Sequence, residues 1–160
     1  MSTLKVGTIQ DHANSTTAMT IDSAGRVLQP TKPVFNAFRP TGADIASGNT
    51  YVFNDTSVNI GGGFNTSTGK FTAPIAGTYF FSTTCLTSSN AAANDLQIRV
   101  DGTNIAQARV DVGSAGHNSI SITVIATLTA SQVVDVYVAG GGGMYGSSGR
   151  FSTFCGYLIG

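Results

Sequence analysis

Residues 61–81, GGGFNTSTGKFTAPIAGTYFF, restrict the fold more sharply than any other part of the chain. Phe64 and Phe71 flank Asn65-Thr66-Ser67-Thr68-Gly69-Lys70, in which Asn, Ser and Gly are turn-formers. Pro74 and Gly77 bracket a second turn, because proline fixes φ and glycine permits positive φ. Tyr79, Phe80 and Phe81 follow, with the bulky side chains that suit a central sheet strand. Short strands separated by tight turns fit between such breakers. Side chains alternate along a strand, so Tyr79, Phe81, Thr83 and Cys85 share one face and Phe80, Ser82 and Thr84 the other. The same rule at the end of the chain separates Phe154, Gly156 and Leu158 from Cys155, Tyr157 and Ile159.

Composition supports an all-β chain. Every acidic residue is Asp, none is Glu, and only three residues are Lys. Helices draw on Glu and Lys, whereas Asp, Gly, Ser, Thr and Asn favour turns and strands. The 160 residues make one domain and a short extension. A domain of this size buries roughly 68–70 % of its unfolded surface, so it needs neither metal nor disulfide to fold. Only 10 % of residues are charged and the formal net charge is zero, which excludes nucleic acid and anionic membrane as main partners. Low charge favours self-association. Met1-Ser2-Thr3-Leu4-Lys5 leads into alternating residues and not an apolar leader, so no signal peptide is expected. No apolar run reaches the ~18 residues of a membrane span.

Residues 1–32 differ from the rest. Leu4, Val6 and Ile9 suggest a short strand, and Met19-Thr20-Ile21 and Arg26-Val27-Leu28 two more, with Asp22-Ser23-Ala24-Gly25 as a hairpin turn. Pro30 and Pro33 mark a boundary. Three such strands bury little by themselves, so this arm needs neighbours. Beyond it come short strands at 34–38, 51–53, 63–65, 70–73 and 78–86. Leu96–Val100 and Asn104–Ala108 flank Asp101-Gly102, a type I′ hairpin signal. Ile120, Ile122, Val124 and Ala126 alternate with Ser119, Ser121 and Thr123 until Ile125 interrupts the pattern. An apolar strand at 133–139, a flexible glycine-rich loop at 140–149 and a last strand at 151–159 complete the chain. About ten strands without helical periodicity predict a two-sheet sandwich.

Taken together, Phe35-Asn36-Ala37, Asn59 with Gly62-Gly63-Phe64-Asn65, Thr68-Gly69-Lys70-Phe71, Pro74, Gly77-Thr78-Tyr79-Phe80-Phe81 and Phe154-Cys155-Gly156-Tyr157-Leu158 resemble the globular head of complement C1q. That head is a jelly roll shared with the tumour necrosis factor family, and the likeness covers about residues 34–160. Where the family usually has Gly-Asp before its penultimate strand, this chain has Ser131-Gln132. The resemblance implies a homotrimer, with Phe80, Ser82, Tyr157 and Ile159 facing the threefold axis. Cys85 and Cys155 would then lie on opposite faces of one sheet as two free thiols.

Thr3-Leu4-Lys5-Val6-Gly7-Thr8-Ile9-Gln10 and Met19-Thr20-Ile21-Asp22-Ser23-Ala24-Gly25-Arg26-Val27 are similar to openings of bacteriophage tail-fibre and other virion proteins, notably marine and cyanobacterial ones. This second resemblance implies a virion location. Residues 1–33 would dock to other virion proteins through Leu4, Val6, Ile9, Ile21 and Val27, and the jelly roll would contact a host surface glycan or protein as a fibre tip or adhesin. A capsid decoration protein and a soluble cellular recognition module stand as alternatives. The cellular reading predicts a secretory signal and a collagen-like or coiled-coil stalk.

Enzymatic activity is not expected. Residues 63–70 differ from a phosphate loop in having five residues between the glycines, Phe71 in place of Ser or Thr, and a strand in place of a helix. His12 and His117 have no ligand-spaced companions, and Asp55, Asp101 and Asp111 read as turn and surface residues, so no metal and no cofactor is expected. No Gly-x-Ser-x-Gly elbow occurs. The Asn-x-Ser/Thr triplets at Asn14, Asn54 and Asn65 are read as incidental. Within 140–149, Met144 and Tyr145 supply apolar and hydrogen-bonding area, so this segment is either a connector or a receptor contact.

Overall fold

The computed structural model describes residues 4–88, 93–111, 116–146 and 149–160. Thr3 of the arm and Ser147 and Ser148 of the glycine-rich segment lie outside the described residues. The chain divides into two compact units, Met1–Lys32 and Pro33–Gly160.

The first unit is a 3-stranded antiparallel sheet in the order β1 (Thr8–Gln10), β2 (Thr17–Ile21), β3 (Val27–Leu28). Asp22 makes the turn between the last two. Its Oδ1 accepts from the N–H groups of Ala24 at 2.9 Å and Arg26 at 3.0 Å, and its Oδ2 from Arg26 Nε at 2.7 Å. The first strand starts later than expected: Leu4 and Val6 precede it, and Leu4 is 87 % exposed.

The second unit is an all-β jelly roll of two sheets. One is 5-stranded, in the order β12 (Ser119–Leu128), β9 (Gly77–Leu86), β14 (Thr153–Leu158), β4 (Val34–Phe38), β6 (Asp55–Ile60). The other is 6-stranded: β11 (Thr103–Val110), β10 (Asn94–Val100), β13 (Val133–Gly141), β8 (Lys70–Thr72) and β7 (Phe64–Asn65), with β5 (Asn49–Thr50) also paired to β13. Asp101 and Gly102 turn the β10–β11 hairpin with φ of 48° and 81°, as a type I′ turn requires. Ser131 holds φ 74°, a conformation glycine adopts without strain.

Side chains from both sheets fill the core. Phe35 sits at its centre, with ring centroids 4.9 Å from each of Phe64, Phe71 and Phe154. Tyr79, Phe81, Thr83 and Cys85 all point inward from β9, and Phe154 and Leu158 from β14. Gly156 lies between them because a Cβ there would come 2.6 Å from Phe81 and 2.7 Å from Phe35. Two expectations about strands need correction. Tyr51 and Phe53 are fully buried but follow β5 in a non-strand segment, so aromatic content there reported burial and not pairing. Asp55–Ile60 was missed because this edge strand is mostly exposed and shows no inward alternation.

Candidate assembly face and loop end

Strand register lines up five outward residues in one row across the 5-stranded sheet: Ile125, Phe80, Tyr157, Val34 and Ile60. The Phe80 and Tyr157 rings stack at 5.1 Å and 30°. Ile125 is 62 % exposed and Tyr157 45 %. Ile159, just beyond β14, is exposed as well. The neighbouring row is Thr123, Ser82, Cys155, Asn36 and Val58. Its hydroxyls satisfy each other, Ser82 Oγ lying 3.1 Å from Thr123 Oγ1, and Thr84 Oγ1 lies 2.9 Å from Ser121 Oγ one step further along. Asp55 is the one Asp, Lys or Arg in these five strands. Apolar side chains beside paired hydroxyls, with no charge to desolvate, have the character of an interface core. The structure thus brings Phe80, Ser82 and Tyr157 together, with Ile159 at the end of β14. Ile125, Val34 and Ile60 were missed. Ile125 keeps the outward parity of Ser121 and Thr123, so its apparent interruption of the pattern was the signal.

The outer face of the other sheet is of opposite character. Arg99 grips Asp135 with two hydrogen bonds, Nε to Oδ1 at 2.9 Å and a terminal nitrogen to Oδ2 at 2.6 Å. Thr50 donates to Oδ2 at 2.6 Å, and the Arg99 guanidinium lies 3.5 Å over the Tyr137 ring. Burial alone would raise the Asp135 carboxyl. The Arg99 and Thr50 hydrogen bonds and the Arg99 charge outweigh it, so the net effect holds the group below the usual carboxylate range. A depressed folded-state pKa stabilises above the ordinary carboxylate pKa, and that stability is lost as pH falls through the lowered value. Asp135→Asn is therefore expected to lower stability at pH 7 and to flatten the acid limb of the stability profile, measured by urea unfolding between pH 7 and 2. An unchanged acid limb would show that Asp135 contributes nothing to it.

Cys85 and Cys155 are both free, one on each face of the 5-stranded sheet. Burial pushes the Cys85 thiol up to about 12, partly offset by hydrogen bonding from Thr83 and Ser152. Burial also raises the half-buried Cys155 thiol. Maleimide at neutral pH is expected to label Cys155 slowly and Cys85 about a hundredfold or more slower still, because the thiolate is the reactive form. Denaturation should equalise the two. Mass spectrometry of the labelled peptides reads the ratio, and fast native labelling of Cys85 would contradict its placement.

At one end of the sandwich residues 143–146 of the glycine-rich segment are tied down and do not form a free loop. Met144 N donates to Ile45 O and Met144 O accepts from Ile45 N, each at 2.8 Å. Tyr145 N donates to Leu86 O at 2.8 Å, Gly146 N to Asp44 Oδ1 at 2.9 Å, and Tyr51 Oη to Tyr145 O at 2.7 Å. Met144 is fully buried, so its expected role as a receptor contact is corrected: its side chain belongs to the core. Tyr145 is half-buried, with its ring 4.5 Å from that of His117, whose Nδ1 lies 2.6 Å from Thr87 O. His117 was missed as a companion because two strands and the turn between them separate the two in sequence and only the fold joins them. In the first unit, Ile9, Met19, Ile21 and Val27 line a small apolar depression; Leu4 is exposed and Val6 half-buried ahead of it. Among the described residues no three His, Cys, Asp or Glu side chains come together as metal ligands.

The two-sheet antiparallel jelly roll is the fold of C1q and tumour necrosis factor heads. The C1q domain family model matches residues 34–159, and the chain belongs to that family. It is 28 % identical over 109 residues to complement C1q tumor necrosis factor-related protein 3 of mouse and of human, covering 68 % of this chain. The chain spans 44 % of the length of those relatives. The globular domain of zebrafish complement 1qA protein superimposes with a TM-score of 0.68 at 21 % identity, over 81 % of this chain and 98 % of that one. The Eiger TNF structure from S. frugiperda gives 0.65 at 11 % identity, over 81 % and 94 %. Trimers are typical of this family. The expected virion location is overturned by these comparisons, since the curated relatives are animal proteins of the complement type. The family match begins at residue 34 and lends no support to a bacteriophage origin for the arm.

Proposed function

We propose that this chain is a non-enzymatic, homotrimeric recognition module that works outside the cell. Three copies pack the uncharged face of the 5-stranded sheet around a threefold axis and leave the charged sheet and the Tyr145–His117 end accessible to a ligand. The observation that carries the proposal is the contrast between the two outer faces. One has the apolar row Ile125, Phe80, Tyr157, Val34 and Ile60; the other has Arg99, Asp135, Asp95 and Arg109. Burying the first removes apolar area from water at about 25 cal/mol per Å², whereas burying the second would desolvate ions. The two mammalian relatives, named for complement C1q and tumour necrosis factor, support a recognition role over a particle component.

Sedimentation equilibrium over a dilution series tests the assembly: a trimer is expected, and a monomer throughout the micromolar range would end the reading. For recognition, the probe is a glycan array carrying sialylated, sulfated and neutral sugars, with Tyr145→Ala as the matched control. Binding reduced at least tenfold by Tyr145→Ala is the expected result. Equal binding by the variant would move the ligand site away from this end.

A further inference from the structure

The first unit is a single layer with one apolar face. Register places Ile9 opposite Met19 and Ile21 opposite Val27, and Met19 and Ile21 share a face by alternation. All four side chains line the same depression, and Ile9, Ile21 and Val27 are exposed. Strands of 3, 5 and 2 residues do not make a stable sheet without a second layer. The face itself carries no charge, and the nearby Asp22 and Arg26 are paired with each other at 2.7 Å.

We propose that this face is covered by the same face of the two sister chains, so that the arms form a second trimeric contact. The inference rests on the trimer proposed above. What selects this occupant is continuity with that interface. Only Gln29-Pro30-Thr31-Lys32-Pro33 separates β3 from Val34, and Val34 is itself a member of the apolar row. Six Cα steps reach at most on the order of 20 Å, so a trimer closed through the row holds its three arms within a short radius. Tethers of that length give effective concentrations of about a millimolar, enough for a small apolar contact to form that would not form between free chains. Three identical faces related by a threefold axis also close into a ring and leave no apolar edge for further growth.

The test uses the full chain. In the Ile21→Asp/Val27→Asp variant the trimer dissociation midpoint is expected to rise at least tenfold in concentration, by sedimentation velocity. Thr20→Asp, which puts an aspartate on the opposite face of the sheet by alternation with Met19 and Ile21, should change it less than twofold. Amide exchange supplies the second readout: the Ile21 N–H, bonded to Gly7 O at 2.8 Å, should be protected in the trimer and lose that protection on dilution. A wild-type monomer would overturn the trimer and this inference together. A wild-type trimer whose arm amides exchange freely, with the double variant unchanged, would overturn the arm contact alone. So would arm protection that persists in a monomeric Phe80→Lys variant, because the face would then be covered within its own chain.

Discussion

Phe80→Lys is expected to leave the jelly roll folded and to abolish the trimer at micromolar concentration. Phe80 lies in the apolar row between Ile125 and Tyr157, and its ring stacks on Tyr157 at 5.1 Å. In a free monomer a lysine can lay its methylenes on Tyr157 and keep its ammonium in water, so folding stability should fall by about 1 kcal/mol or less. In the trimer three ammonium groups would converge at a dry axis with no counter-charge, since Asp55 is the one ionised side chain in the five strands. Desolvation and mutual repulsion there cost several kcal/mol, and a loss of about 4 kcal/mol corresponds to a thousandfold weaker association. Sedimentation of Phe80→Lys beside Gln97→Lys, which places the same charge on the other sheet, isolates the face. A Phe80→Lys trimer as tight as wild type would show that the axis lies elsewhere.

Much of this face was legible before any coordinates, because parity within a strand is a local property. The alternation in Tyr79–Cys85 and Phe154–Ile159 assigned inward and outward residues that the structure places the same way. What local pattern cannot give is register between strands. That Ile125, Val34 and Ile60 fall beside Phe80 and Tyr157 depends on pairings across the whole chain. The same limit explains Met144. Four successive glycines suggest a loose loop, yet partners far away in sequence, Ile45, Leu86 and Asn94, collect its backbone groups and bury the methionine. Tyr51 and Phe53 misled in the other direction, being core residues carried by irregular backbone. The arm was read through a short segment of simple composition, and such a segment specifies turns and strands without specifying the larger protein that carries it. Its hairpin at Asp22 was visible for a physical reason: an Asp side chain can satisfy several N–H groups of its own turn, as the 2.9 Å and 3.0 Å bonds to Ala24 and Arg26 do.

The residue after Val34 gives the second large effect, with the opposite readout. Phe35→Ala is expected to cost about 3–5 kcal/mol of folding stability, the usual range for deleting a buried phenyl ring. Phe35 is 1 % exposed and touches aromatic rings of both sheets, with centroids 4.9 Å from Phe64, Phe71 and Phe154 and 6.4 Å from Phe81. Relaxation cannot refill the space, because Gly156 beside it has no side chain to move and the surrounding rings are held by paired strands. Urea unfolding at fixed protein concentration should show a midpoint shift of that size, while the variant that remains folded still assembles as a trimer. Val34→Lys, one residue earlier and on the opposite face, should do the reverse, weakening the trimer with about 1 kcal/mol or less lost from the fold. If Phe35→Ala cost under about 1 kcal/mol, or if both substitutions acted on the same quantity, the division of β4 into a core face and an assembly face would be wrong, because alternation along a strand requires neighbours to report on opposite sides of the sheet.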